Sequence, residues 1–115
     1  MSNIPKRKEI WLVRFNPTIG DEIQKTRPAI VISSDNLPGL ALRLVVPITG
    51  WKPAFDQIPW LIKLQPTLQN GLTKSSVANP LQTRSVALAR LPSKLGTIAD
   101  EQMDSILMAL QLITQ

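Results

Sequence analysis

The 115-residue chain contains no histidine and no cysteine. Without histidine it lacks the usual general acid or base of neutral pH and the commonest metal ligand. A Ser-His-Asp triad and a histidine-dependent zinc site are therefore excluded. Without cysteine there is neither a disulfide nor a thiolate nucleophile. Any catalysis must run on Glu, Asp, Arg, Lys, Ser or Thr. No stretch approaches the ~20 apolar residues of a membrane span, and the early charges have no apolar run behind them. The expectation is one cytoplasmic domain over residues 1–115 with a modest core. Residues 1–8, with Lys6, Arg7 and Lys8, are expected to be a flexible basic arm.

Acid is scarce as well. Thirteen Lys and Arg face eight Asp and Glu, a formal charge of +5. Three of the eight acids, Asp100, Glu101 and Asp104, lie near the C-terminal end, so residues 1–99 hold thirteen bases against five acids. Such a surface suits an anionic partner, nucleic acid or an acidic peptide. A basic protein without such a partner is the plainer alternative.

What is present is mostly strand. Residues 9–15 are β-branched and aromatic and end at Asn16-Pro17. Residues 29–34 form an apolar run short enough for a central strand. Residues 40–46 form a third strand, expected to stop at Pro47. Residues 51–55 look like a loop, and 58–64 a fourth strand whose early proline suits an edge. Turn material around Asn70-Gly71 precedes two short strands at 75–79 and 82–88. Ile98, Met103, Ile106, Leu107, Leu110 and Ile113 then fall at helical spacing, with Asp100 and Glu101 favouring the helix dipole. Gly96 is expected to end whatever precedes that helix. Many short strands followed by one helix predict a bent sheet or partial barrel with the helix packed on it.

Several residues in this frame can carry chemistry. Proline at 28 constrains the backbone just before a buried strand, which aims Arg27. An aimed guanidinium suits forked contact with phosphate or carboxylate; the competing use is an ion pair to Asp21 or Glu22. Thr49 offers a hydroxyl at a strand exit, for an anion or for a turn. The acids are too few and too dispersed for a two-metal site. Among the tryptophans, Trp11 reads as core, whereas Trp51, beside Lys52, suits base stacking better.

Four blocks in order, EIWLVRFNPTIGDEIQKTRPAIVIS (residues 9–33), VVPIT (45–49), GLTKSSVANPLQTRSV (71–86) and KLGTIADEQM (94–103), resemble the MazF/PemK family of toxins from bacterial toxin–antitoxin pairs. The resemblance covers roughly residues 8–112. It implies a mainly β, α+β fold, an SH3-like small β-barrel of the CcdB/MazF type with a C-terminal helix, working as a homodimer. It implies a metal-independent, cofactor-free endoribonuclease that cuts single-stranded mRNA at selected sequences and so inhibits translation and growth. It implies a cognate antitoxin whose disordered acidic C-terminal segment covers the RNA groove, the antitoxin also mediating operator DNA binding. A CcdB-like DNA gyrase inhibitor and a non-catalytic RNA- or peptide-binding barrel are the alternatives.

Carried over by position, Glu22 is similar to a catalytic carboxylate of the family, Arg27 to the arginine of Arg-Pro-Ala, and Thr49 to the threonine after the Pro-x-Thr turn. Ser33 matches a strand serine, and Gln82 and Arg84 the Gln-x-Arg strand. Lys25, Ser33, Trp51, Lys52, Gln82 and Arg84 are the expected RNA contacts. Three residues depart from the pattern: Leu81 where an aspartate is common, Ala99 at the helix start, and Arg14 in place of an acid. The economical reaction uses the 2′-hydroxyl of RNA as nucleophile and leaves a 2′,3′-cyclic phosphate. Arg27 would stabilise the phosphorane, Thr49 position it, and Glu22 accept the proton.

Overall fold

The computed structural model describes residues 4–37 and 39–115. Its strands there are β1 (Glu9–Arg14), β2 (Thr26–Val31), β3 (Leu42–Gly50), β4 (Ile62–Leu64), β5 (Ser76–Ala78), β6 (Arg84–Ala87) and β7 (Ser93–Thr97), followed by the helix α1 (Asp100–Ile113). They order as β4-β5-β3-β2-β1-β7, with β6 beside the first part of β3. Every pairing is antiparallel.

β3 sets the shape. Residues 42–45 pair with β6, 45–47 with β2, and 48–50 with β5. One strand thus serves two sheet directions, and the sheet coils into a half-barrel with a single helix against it. The expected end at Pro47 is corrected here. Proline cannot donate to a ladder, but Pro47 sits where β3 passes from β2 to β5, and its carbonyl accepts the Asn79 N–H at 2.9 Å. The strand therefore continues through it.

Side-chain alternation explains the apolar run at 29–32. Ile10, Ile30 and Val46 share one cross-strand row and pack with Leu64, Leu72, Ile98 and the helix residues Met103 and Ile106. The alternate positions Trp11, Val13, Ala29, Val31 and Val45 face a second cluster with Phe15, Val86 and Leu91. Both faces of the central strands are buried, so no polar alternation survives in their sequence.

Other expectations shift. β7 was not foreseen, and Gly96 lies within it rather than ending it. A Cβ at Gly96 would stand 2.1 Å from the Gln69 carbonyl oxygen, so the position admits only glycine beside the 65–72 turn. β4 is shorter than expected, and residues 53–57 form a 3-10 turn. In α1 the core takes Ala109 rather than Leu107, which is 39% exposed. Alanine at 99 has no side-chain acceptor, so only the reciprocal half of a capping box exists, the Gln102 Oε1 accepting the Ala99 N–H at 3.0 Å.

The Lys8 N–H donates to Val31 O, the Ile98 N–H donates to Lys8 O, the Arg7 N–H donates to Asp35 Oδ1 at 2.9 Å, and Lys8 pairs with Asp100. Lys8 is thus bonded through its backbone to Val31 and Ile98, and Arg7 is tied to Asp35. Residues 1–3 of the expected basic arm lie outside the described residues.

Candidate active site

The site begins where β2 begins. Phe15 N–H donates to Lys25 O, and Lys25 N–H to Asn16 Oδ1, closing the neck of the 16–25 loop. Lys25 itself is exposed and adopts a left-handed φ of 69°. Arg27 follows, opposite Val13 of β1. Its Nε donates to Gln24 O at 3.1 Å. Among the described residues the ion pairs are Lys8 with Asp100 and Lys94 with Glu9, so Arg27 is bound to neither Asp21 nor Glu22. The ion-pair explanation of this arginine fails, and its charge stays available.

Continuing the β2–β3 register by two residues from Ala29 and Pro47 sets Thr49 opposite Arg27. Both line a depression of about 260 Å³. Leu12, Pro28, Ile48 and Leu95 supply its apolar part, and Thr73, Lys74 and Ser76 add polar groups. Lys74 escaped the sequence reading. A Cβ at Gly50 would come 3.4 Å from Lys74 Nζ, so that ammonium lies over the glycine beside Thr49. The lysine stands inside the GLTKSS block, but only the folding of the 65–72 turn brings it to β3. Buried Asn70 organises that turn, its Oδ1 accepting from the Thr67 and Leu72 N–H groups and its Nδ2 donating to Gln65 O.

Glu22 is set apart. Its carboxylate accepts the Ile19 N–H at 2.6 Å, a bond inside its own loop. It lines a second depression of about 220 Å³ with Gln82, Arg84 and the departure Leu81, which is 59% exposed. Gln82 Nε2 reaches Asp21 O at 3.3 Å, and the Arg84 guanidinium stands 5.7 Å from the Phe15 ring centroid. The two depressions share no lining residue, and they meet along β3, Pro47 facing one and Thr49 the other. Ser33 lies beyond the far end of β2, about 20 Å from Arg27 at strand rise, with its hydroxyl accepting the Leu44 N–H. Trp51 follows Gly50 directly, with Lys63 Nζ 4.0 Å from its ring centroid, and Lys52 is exposed beside it.

Arg27 and Thr49 are thus together, Glu22 joins Gln82 and Arg84 next door, and Ser33 is remote. Among the described residues no group of three or more Asp, Glu, His or Cys is placed to hold a metal ion. No helix there is long and apolar enough to cross a membrane.

Electrostatic perturbation lies elsewhere, at Glu9 and Asp100. Burial pushes the Glu9 carboxyl up, but the bonds from Trp11 Nε1, the Lys6 N–H and Lys94 outweigh that and hold it below the ordinary value. Asp100 is likewise lowered by its hydrogen bond and charge pairing with Lys8.

Comparison with known proteins gives a consistent result. The family model for the PemK-like, MazF-like toxin of type II toxin–antitoxin systems matches residues 6–114. Endoribonuclease MazF9 of Mycobacterium tuberculosis (strain ATCC 25618 / H37Rv) is 33% identical over 113 residues, covering 93% of each chain. Endoribonuclease EndoA of Bacillus subtilis (strain 168) is 26% identical over 109 residues, covering 95% of this chain and 93% of that one. Among solved structures, MazF from Deinococcus radiodurans superposes with a TM-score of 0.83 at 21% identity, over 99% of this chain and all of that one. A mycobacterial endoribonuclease in complex with its cognate antitoxin gives 0.74 at 18% identity, over 96% and 94%.

Proposed function

We propose a mechanism from the premise that the chain belongs to the PemK-like, MazF-like toxin family of type II toxin–antitoxin systems. It is an endoribonuclease that cuts single-stranded RNA without a metal. The ribose 2′-oxygen attacks the adjacent phosphorus, the bond from phosphorus to the 5′-oxygen breaks, and a 2′,3′-cyclic phosphate and a 5′-hydroxyl remain. The 2′-proton passes to a base, and the leaving 5′-oxygen takes a proton from water. A guanidinium holds its protons too tightly to serve as the acid.

One observation supports the reading: an arginine without an acidic partner among the described residues and a threonine line the same depression. Arg27 stabilises charge developing on the phosphorane oxygens, and Thr49 hydrogen-bonds the same group. Lys74 adds a second cation at that phosphate. Glu22 accepts the 2′-proton once RNA draws the 16–25 loop toward the cleft and exchanges its bond to Ile19. Lys25, Gln82 and Arg84 grip the flanking strand. Ser33 has no part in a single protomer, and it reaches RNA only if a second copy brings it there.

The remaining parts of the reading concern partners. The working unit is a homodimer, consistent with Leu42 and Leu44, each at least 40% exposed on β3. A cognate antitoxin lays an acidic disordered segment over the basic cleft and carries the pair to operator DNA. Cleavage of mRNA in the cytoplasm halts translation and growth.

The test is incubation of purified protein with a long single-stranded RNA in EDTA, beside Arg27→Ala. The expected result is cleavage by the wild type and a rate about 10²- to 10³-fold lower for the variant. Uncut RNA across varied sequences favours a gyrase inhibitor or a silent binding barrel instead. Cleavage that disappears only with the chelator contradicts the metal-free scheme.

A further inference from the structure

Beyond the cleft, the same sheet face carries a second set of groups. Thr49 and Lys63 both pair with Val77, from β3 and β4 on either side of β5. The three therefore share one face, with Val77 buried between the other two. One step further, the Trp51 N–H donates to Ser75 O at 3.1 Å, and Ser75 Oγ donates to Gln65 Oε1 at 2.7 Å. Trp51 thus stands on the Thr49 face, one pleat beyond it. The row from Arg27 through Thr49 to Lys63, and the row from Trp51 through Ser75 to Gln65, contain no acid.

We propose that Trp51 and Lys63 form a base platform for unpaired RNA beside the cut phosphate, which extends the cleft across β5 to β4. The proposal rests on the ribonuclease reading for its substrate. The half-buried indole is held by backbone at its root, and Lys63 Nζ covers one ring face at 4.0 Å. An exposed cation–π contact changes an equilibrium about two- to fivefold. Base–aromatic stacking is worth about five- to 150-fold. A base therefore displaces the ammonium, and the released Lys63 pairs with the phosphate of the same nucleotide. Lys63 is a placeholder in the free protein and a phosphate ligand in the complex. Stacking one pleat from Thr49, with the modest base preference that stacking strength gives, holds the strand in line for attack.

The binding probe is a labelled pool of random-sequence RNA 20-mers, fully 2′-O-methylated so that no attacking oxygen is free. Trp51→Phe is expected to bind within about threefold of wild type, and Trp51→Ala about five- to 150-fold more weakly. Lys63→Met should weaken binding about two- to fivefold and flatten the salt slope by about 0.7, the value for one phosphate contact on a single strand. On a long cleavable RNA, Trp51→Ala should relax the base preference next to the cut, which a purely structural tryptophan would leave unchanged. Folding is checked by the thermal midpoint. A folded Trp51→Ala that binds the pool and selects its cuts as wild type does overturns the platform and leaves the ribonuclease reading intact. If that variant does not fold, Lys63→Met decides, and an unaltered affinity and salt slope overturn it. Trp51-dependent binding by a protein that cuts no RNA sustains the platform and removes the ribonuclease reading.

Discussion

At the scale of single residues, charge pairing separates what stabilises from what reacts. Arg27 spends its Nε on the Gln24 carbonyl and meets no carboxylate among the described residues. Glu9 is the reverse case: its side chain is 14% exposed and is bound by the Trp11 indole, the Lys6 N–H and Lys94. The folded-state pKa of Glu9 lies below the ordinary 4.5. A carboxyl with that shift contributes stability above its unfolded pKa and loses it as pH falls through the folded one. Glu9→Gln should therefore lower the thermal midpoint at pH 7, and the difference should close well below pH 4.5. An equal deficit at both pH values would contradict this. Asp100, exposed beside a partly buried Lys8, should add little to the same acid limb.

At the scale of elements, the cleft wall depends on backbone packed against backbone. The Thr97 N–H donates to Gln69 O at 2.8 Å, and the missing Cβ of Gly96 makes room for that approach. The neighbouring turn carries Thr73 and Lys74 to the depression. Gly96→Ala forces the turn away and should cost about 1–3 kcal/mol, the usual range for overpacking, read as a lower denaturation midpoint. It should also weaken RNA binding by displacing Lys74. A variant as stable as wild type would show that the contact relaxes freely.

That packing marks the limit of what could be read from residues in a line. Arg27 was legible because Pro28 constrains the backbone where β2 begins, and Thr49 as a hydroxyl at a strand exit, although β3 runs on through Pro47 to Gly50. The two-faced burial of residues 29–32 was legible as an unbroken apolar run. β7 was not, because SKLGT has little apolar character and pairs only through distant β1. Lys74 was hidden for the same reason, since its place depends on a turn docked against β7. The backbone bonds of Lys8 to Val31 and Ile98 are likewise something that charge alone does not suggest. Glu22 was identified by motif, yet its carboxylate lies one depression away, because the loop satisfies it internally through Ile19.

At the scale of the whole molecule, thirteen bases and eight acids are unevenly distributed. Asp100, Glu101 and Asp104 stand exposed in the first turns of α1, which leaves the rest of the surface predominantly basic. The half-barrel offers that surface a depression of about 260 Å³ at the start of β2 and the end of β3, where the proposed single strand would lie. The account's central claim is that the substrate supplies its own nucleophile there. The direct measurement is made on an oligonucleotide spanning a mapped cut, with and without a single deoxyribose immediately 5′ of it. The account predicts that the all-ribose strand is cut to a 2′,3′-cyclic phosphate and a 5′-hydroxyl, seen by mass, while the substituted strand stays whole. Equal cleavage of both strands would contradict it.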